Sequence, residues 1–93
     1  IENPIVDGQE EALKEKLKVN PDNHQIRLEL AILLTSSGDH ETAINELLKI
    51  VEADPKWNEG EARKQLIEIF NILGNQNDLV IEGRKKLSSM LFS

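Results

Sequence analysis

Four residues return at a single interval: Arg27, Leu30, Leu34 and Gly38 reappear 36 residues later as Arg63, Leu66, Phe70 and Gly74. A second interval runs beside it, because Pro21 and Pro55 stand 34 residues apart, each preceded by Asn or Asp. The two additional residues fall in the stretch KWNEG at 56–60. A period of this length holds two helices and two turns, and a unit so small cannot bury its apolar face alone. It must lean on the next unit, so the chain is expected to be a stack of helix pairs.

The helices follow from turn signals and apolar spacing. Asp7 is placed to cap the first, with Glu10 three residues on completing a capping box, and Leu13 and Leu17 form an i, i+4 pair. Asp22 or Asn23 caps the second, which carries Ile26, Leu28, Leu30, Ala31, Ile32, Leu33 and Leu34 almost all round and so needs neighbours on several sides. Asp39 caps the third, where Ala43, Ile44, Leu47, Leu48, Ile50 and Val51 recur with helical spacing until Asp54 and Pro55 close it. Asn58 with Glu61 reads as a further capping box, Trp57 is placed to pack on Ala62, and Leu66, Ile67, Ile69, Phe70 and Leu73 run to Gly74. A last helix begins near Asp78 and carries Leu79, Val80, Leu87, Met90 and Leu91. No stretch alternates with period two, so the fold class is all-α: antiparallel helix pairs, about five helices in a short right-handed stack. The expected division is a helix of an incomplete repeat over 8–20, a full repeat over 22–55 and a divergent repeat over 57–93. Within it Gly38 supplies a tight turn, Ala43 stays small where two helices meet, Leu47 fills the next gap and Glu46 is placed on the exposed side. Arg27 and Arg63 fall on the apolar sides of their helices and are expected to bury their stems, with heads paired to carboxylates or helix ends.

Composition closes off several classes of function. With 17 Asp plus Glu against 11 Lys plus Arg, for a net charge of −6, the chain lacks the clustered cations that track phosphates, so nucleic acid is not an expected partner. No segment approaches the ~18 uninterrupted apolar residues of a membrane span. There is no cysteine, hence no disulfide framework and no thiol redox centre in these residues, and a cytoplasmic location is the expectation. The single methionine is Met90 and the chain opens at Ile1, so it is read as the C-terminal piece of a longer protein.

The 34-residue spacing resembles that of the tetratricopeptide repeat. A narrower resemblance lies in NHQIRLELAILLTSSGDHETAINELLKIVEAD, followed by WNEGEARKQLIEIFNILG, DLV and GRKKLSSMLFS. From about Asp22 onward the chain is similar to the C-terminal tetratricopeptide region of the bacterial thioredoxin-like co-chaperones, the WN-x-G-x-AR stretch being its most specific part. The resemblance implies a protein-interaction module in which a helical tail follows a thioredoxin fold, with an upstream thioredoxin-like domain, unfolding client proteins and a chaperonin as partners. It implies no enzymatic activity and no cofactor in these residues. The alternative is a structural scaffold or dimerisation element packed on an upstream enzyme domain.

Residues with chemical potential read as structural. His24 and His40 lie at turns or helix starts, without the spacing of metal ligands. Ser88 and Ser89 have no nearby histidine with an orienting acid, and Arg84, Lys85 and Lys86 spread around a helix as solvated charges. The face of the second helix opposite Leu30, Ala31 and Leu34 holds Gln25, Leu28, Ile32 and Thr35, and the equivalent face one repeat on holds Glu61, Lys64, Glu68 and Asn71. Such faces line the concave side of helical stacks. Gln25, Leu28, Ile32, Thr35, Lys64 and Glu68 are accordingly the candidate protein-binding residues. Leu28 and Ile32 replace the cations a carboxylate clamp would need, so the expected occupant is either a nonpolar client segment or an upstream part of the same protein, intramolecular packing being the simpler of the two.

Overall fold

The computed structural model describes the backbone of residues 4–92 and the side chains of residues 8–92. Five α-helices follow in order: α1 (Pro4–Val19), α2 (His24–Ser36), α3 (His40–Ala53), α4 (Glu61–Leu73) and α5 (Asp78–Phe92), with a 3-10 turn over Trp57–Gly60 before α4. No strand occurs among the described residues, and the chain is the all-α stack its periodicity calls for. The expected cap at Asp7 falls inside α1, which begins three residues earlier, and the Asp7 side chain lies outside the described residues. On α1 the Glu10 carboxylate stands 2.7 Å from Lys14 Nζ. Accepting that hydrogen bond, it holds the ammonium above its ordinary pKa. Lys14 is exposed and Glu10 half-buried, so the contribution of the pair is small, present at neutral pH and lost only as pH rises through the raised value.

Local chemistry starts and stops the helices. Asn23 Oδ1 accepts from Ile26 N at 3.1 Å, and Asp39 Oδ1 accepts from Thr42 N at 3.2 Å, so each cap satisfies one of the orphan donors of its first turn. Asn77 does the same for α5, its Oδ1 accepting from Leu79 N at 2.8 Å. Gly38 and Gly74 both have φ of +94°. Gly74 follows α4 directly and Gly38 stands two residues past the end of α2, and at either position a side chain would be strained. α3 ends at Asp54, whose extended backbone is what a following proline requires.

The start of α4 departs from the expected capping box. Asn58 and Glu59 have φ of 50° and 57°, and Gly60, with φ of 80°, is the residue before the first helical turn. A capping side chain needs an extended backbone at the cap, which the left-handed Asn58 does not have, so the chain turns through three left-handed residues and starts α4 at Glu61 without a side-chain cap. Trp57 packs against the core that contains Ala62 and makes a T-shaped contact with His24, the first residue of α2, at 5.5 Å between ring centroids.

α2 packs on α1 and α3, and also touches α4; α3 packs on α2, α4 and α5. The buried set follows from this. Ala43, Ile44, Leu47, Leu48, Ile50 and Val51 of α3 are buried, and at ~100° per residue they cover an arc of roughly 160°, wide enough to meet helices on both sides. Ala43 is fully buried, as expected of a small residue at a close crossing. Arg27 Nη1 donates to Glu46 Oε1 at 2.5 Å and Arg27 Nη2 to the Pro21 carbonyl at 2.6 Å, so one guanidinium joins α2, α3 and the turn before α2. Glu46 is therefore not on the open side: its side chain and that of Arg27 are each only 14% exposed. Arg63, expected to be buried like Arg27, is exposed on α4, where it borders the space between α4 and α5.

Gly83 allows the closest approach. A Cβ placed there would stand 2.8 Å from Phe70 Cε1 and 2.9 Å from Phe70 Cζ, and the ring is itself buried. Alanine would gain ~1 kcal/mol of helix propensity but overpack the contact by about 2 to 3 kcal/mol. Gly83→Ala is thus expected to lower stability by a net ~1 to 2 kcal/mol, with a smaller penalty in a Phe70→Leu background, measured as a double-mutant cycle by urea unfolding. Net stabilisation by the single substitution would show that the ring moves aside freely.

Candidate interaction surface

The candidate residues on α2 do not share one fate. Leu28 is 5% exposed and belongs to the core, which corrects its placement on the open face. The cause is angular: at ~100° per residue Leu28 lies about 60° from the buried Ala31 and about 40° from Ile32, at the edge of the apolar arc. Ile32, one step outward, is 45% exposed. Thr35 is half-buried, and its Oγ1 donates to the Ala31 carbonyl at 2.8 Å. Gln25 is exposed and donates to Glu29 at 3.1 Å. Lys64 and Glu68 are exposed one turn apart on α4.

Ile32 lines an open groove of about 450 Å³ between α1 and α2. Ala12 and Leu13 of α1 form one wall and Ile32 with Leu33 the other, with Lys16 and Glu29 among the polar residues beside them. The apolar side chains arise from a simple rule: each helix in the stack keeps an apolar arc for two neighbours, and here the arc of α2 extends past the cover that α1 provides. The sequence did not point to Ala12, Leu13 and Leu33 as lining residues. The i, i+3 and i+4 steps from Ile32 reach Glu29 and Ser36, also in the groove, but the partner wall on α1 is tertiary information. Lys64 and Glu68 do not line this groove.

His24 and His40 begin α2 and α3, and the Nδ1 atom of each is buried without a hydrogen-bond partner among the described residues. No group of three or more His, Cys, Asp or Glu among those residues is placed to hold a metal ion. Ser88 and Ser89 are exposed on α5. Arg84 is not merely solvated, since its guanidinium carbon stands 5.8 Å from the Phe70 ring centroid, within cation–π range. No helix among the described residues is long and apolar enough to cross a membrane.

Residues 6–92 match the family described as tetratricopeptide repeat. The chain is also 31% identical over 68 residues to an uncharacterized protein of Haemophilus influenzae (strain ATCC 51907 / DSM 11121 / KW20 / Rd). That similarity covers 73% of this chain and 31% of the relative's length.

Proposed function

Since the chain belongs to the tetratricopeptide repeat family, whose repeats are protein–protein interaction modules, we propose that it is a protein-binding module, the helical-repeat part of a thioredoxin-like co-chaperone, with the α1–α2 groove as its docking surface. One observation carries this reading: Ile32 is 45% exposed in a groove whose other wall is the apolar pair Ala12 and Leu13. A branched aliphatic side chain left in water beside other apolar groups gains free energy from any apolar side chain that covers it. The bordering charges have both signs, Lys16 and Glu29, so the groove selects for apolar content more than for charge, as a holdase for unfolding clients requires. Exposed Gln25, Lys64 and Glu68 supply polar contacts beyond the groove. A chaperonin and an upstream thioredoxin-like domain are the further partners of this reading, and the cytoplasm its setting.

Ile32→Lys tests it, with Leu28 left in place to keep the core intact. The variant is expected to bind a reduced, carboxymethylated model client at least about tenfold more weakly by fluorescence anisotropy, equivalent to ~1.4 kcal/mol, with an unchanged circular dichroism spectrum. Unchanged affinity would remove the groove from client binding. If the separated upstream domain, added alone, protects Ile32 from solvent while the client does not, the groove is a scaffold contact inside the protein and the co-chaperone reading fails.

A further inference from the structure

A second groove, of about 220 Å³, lies between α4 and α5 at the opposite end of the stack. Its apolar lining includes Ile67 of α4 and Leu91 and Phe92 of α5, and Arg63 and Arg84 border it. Ile67 is 43% exposed and Phe92 84%, so large apolar side chains face water here as well. The volume falls below the ~300 Å³ at which small-molecule pockets begin. It suits the side chains of a docking segment, not a whole cofactor.

Charge identifies the segment. The chain as a whole carries −6, yet this groove has two arginines in its lining and no carboxylate. Among the described residues neither guanidinium lies within 4.0 Å of a carboxylate. Arg84 has its guanidinium carbon over the Phe70 ring at 5.8 Å; a stacked guanidinium keeps its in-plane N–H donors free for a carboxylate. Two antiparallel helices with an apolar trough between them accept a third helix, whose i and i+4 side chains enter the trough. We propose that the α4–α5 groove docks an amphipathic helix of a partner protein that carries aliphatic residues at i and i+4 and Asp or Glu beside them. This face is separate from the α1–α2 groove, and acidic character, which that groove does not select, is its recognition element.

The probes are two labelled 16-residue synthetic helices with leucine at i and i+4 positions, one flanked by glutamate and one by lysine. The general field of an acidic chain draws the lysine peptide, so preference for the glutamate peptide requires a local basic site. The glutamate peptide is expected to bind at least tenfold more tightly and to shift the amide resonances of α4 and α5. Arg63→Glu with Arg84→Glu is expected to weaken it at least tenfold, while Ile32→Lys leaves it unaffected. Because Arg84 touches the buried Phe70, Ser88→Glu, which adds a carboxylate to the lining from an exposed position, provides the same test without disturbing that contact. Equal binding of both peptides, shifts confined to α1 and α2, or full affinity in both arginine and serine variants overturns the proposal.

Discussion

Glu46→Ala is expected to lower the free energy of unfolding by about 2 to 3 kcal/mol, far more than a surface carboxylate is worth. The carboxylate accepts from Arg27 on α2, with both side chains 14% exposed, and Lys49 Nζ stands 3.6 Å from its other oxygen. Removing it leaves a guanidinium anchored only to the Pro21 carbonyl in a site that water reaches poorly. A fully buried pair broken in this way costs ~3 to 5 kcal/mol, and the residual exposure brings the figure down. For a domain of this size the loss corresponds to a fall in Tm of about 10 °C or more. Replacing both partners, Arg27→Met with Glu46→Leu, is expected to recover most of it, because the penalty comes from the uncompensated charge and not from the absent attraction. Urea unfolding of the three proteins checks this, and a loss under ~0.5 kcal/mol for Glu46→Ala would mean that solvent screens the pair.

Ala43→Leu tests the packing of the same helix one turn away. Ala43 has no exposed surface and sits on α3, which lies between α2 and the α4–α5 pair. A leucine adds three carbons where the neighbouring helices leave no room, and close-packed interiors cannot absorb that without shifting rotamers or backbone. The expected cost is about 2 to 3 kcal/mol. Glu52→Ala, on the exposed side of α3, is expected to stay within ~0.5 kcal/mol. Equal midpoints for the two variants would place the phase of α3 in error.

What the sequence discloses here is what a repeat makes redundant. Leu30 and Leu66 are both buried, Leu34 and Phe70 likewise, and Gly38 and Gly74 share one φ value, because corresponding positions meet corresponding neighbours. The caps Asn23 and Asp39 are equally readable, since a cap acts within three residues of itself. Arg27 and Glu46 are 19 residues apart, and nothing local marks the carboxylate as the partner. Leu28 sits at the edge of an apolar arc, where burial depends on the neighbouring helices; its counterpart one repeat on, Lys64, is exposed. Asn58 carries the letters of a capping box, but the left-handed turn through Gly60 takes precedence over them. The two grooves were the least legible, because each is the space between helices and not a property of either.

The position of α3 sets the order in which the domain comes apart. It is held by α2, α4 and α5, whereas α1 leans chiefly on α2, and α5 chiefly on α3. In a quasi-linear array each unit draws its stability from its neighbours, so the outer helices have less to lose on detaching than the middle one. Fraying is expected to start at α1, whose Leu13 and Leu17 are only partly buried, and hydrogen exchange is expected to show α3 protected until the whole domain opens. The two grooves border these outer helices, so a segment bound in either would act as a clasp, drawing α1 or α5 into the cooperative unit and raising the resistance of the domain to unfolding while it is occupied.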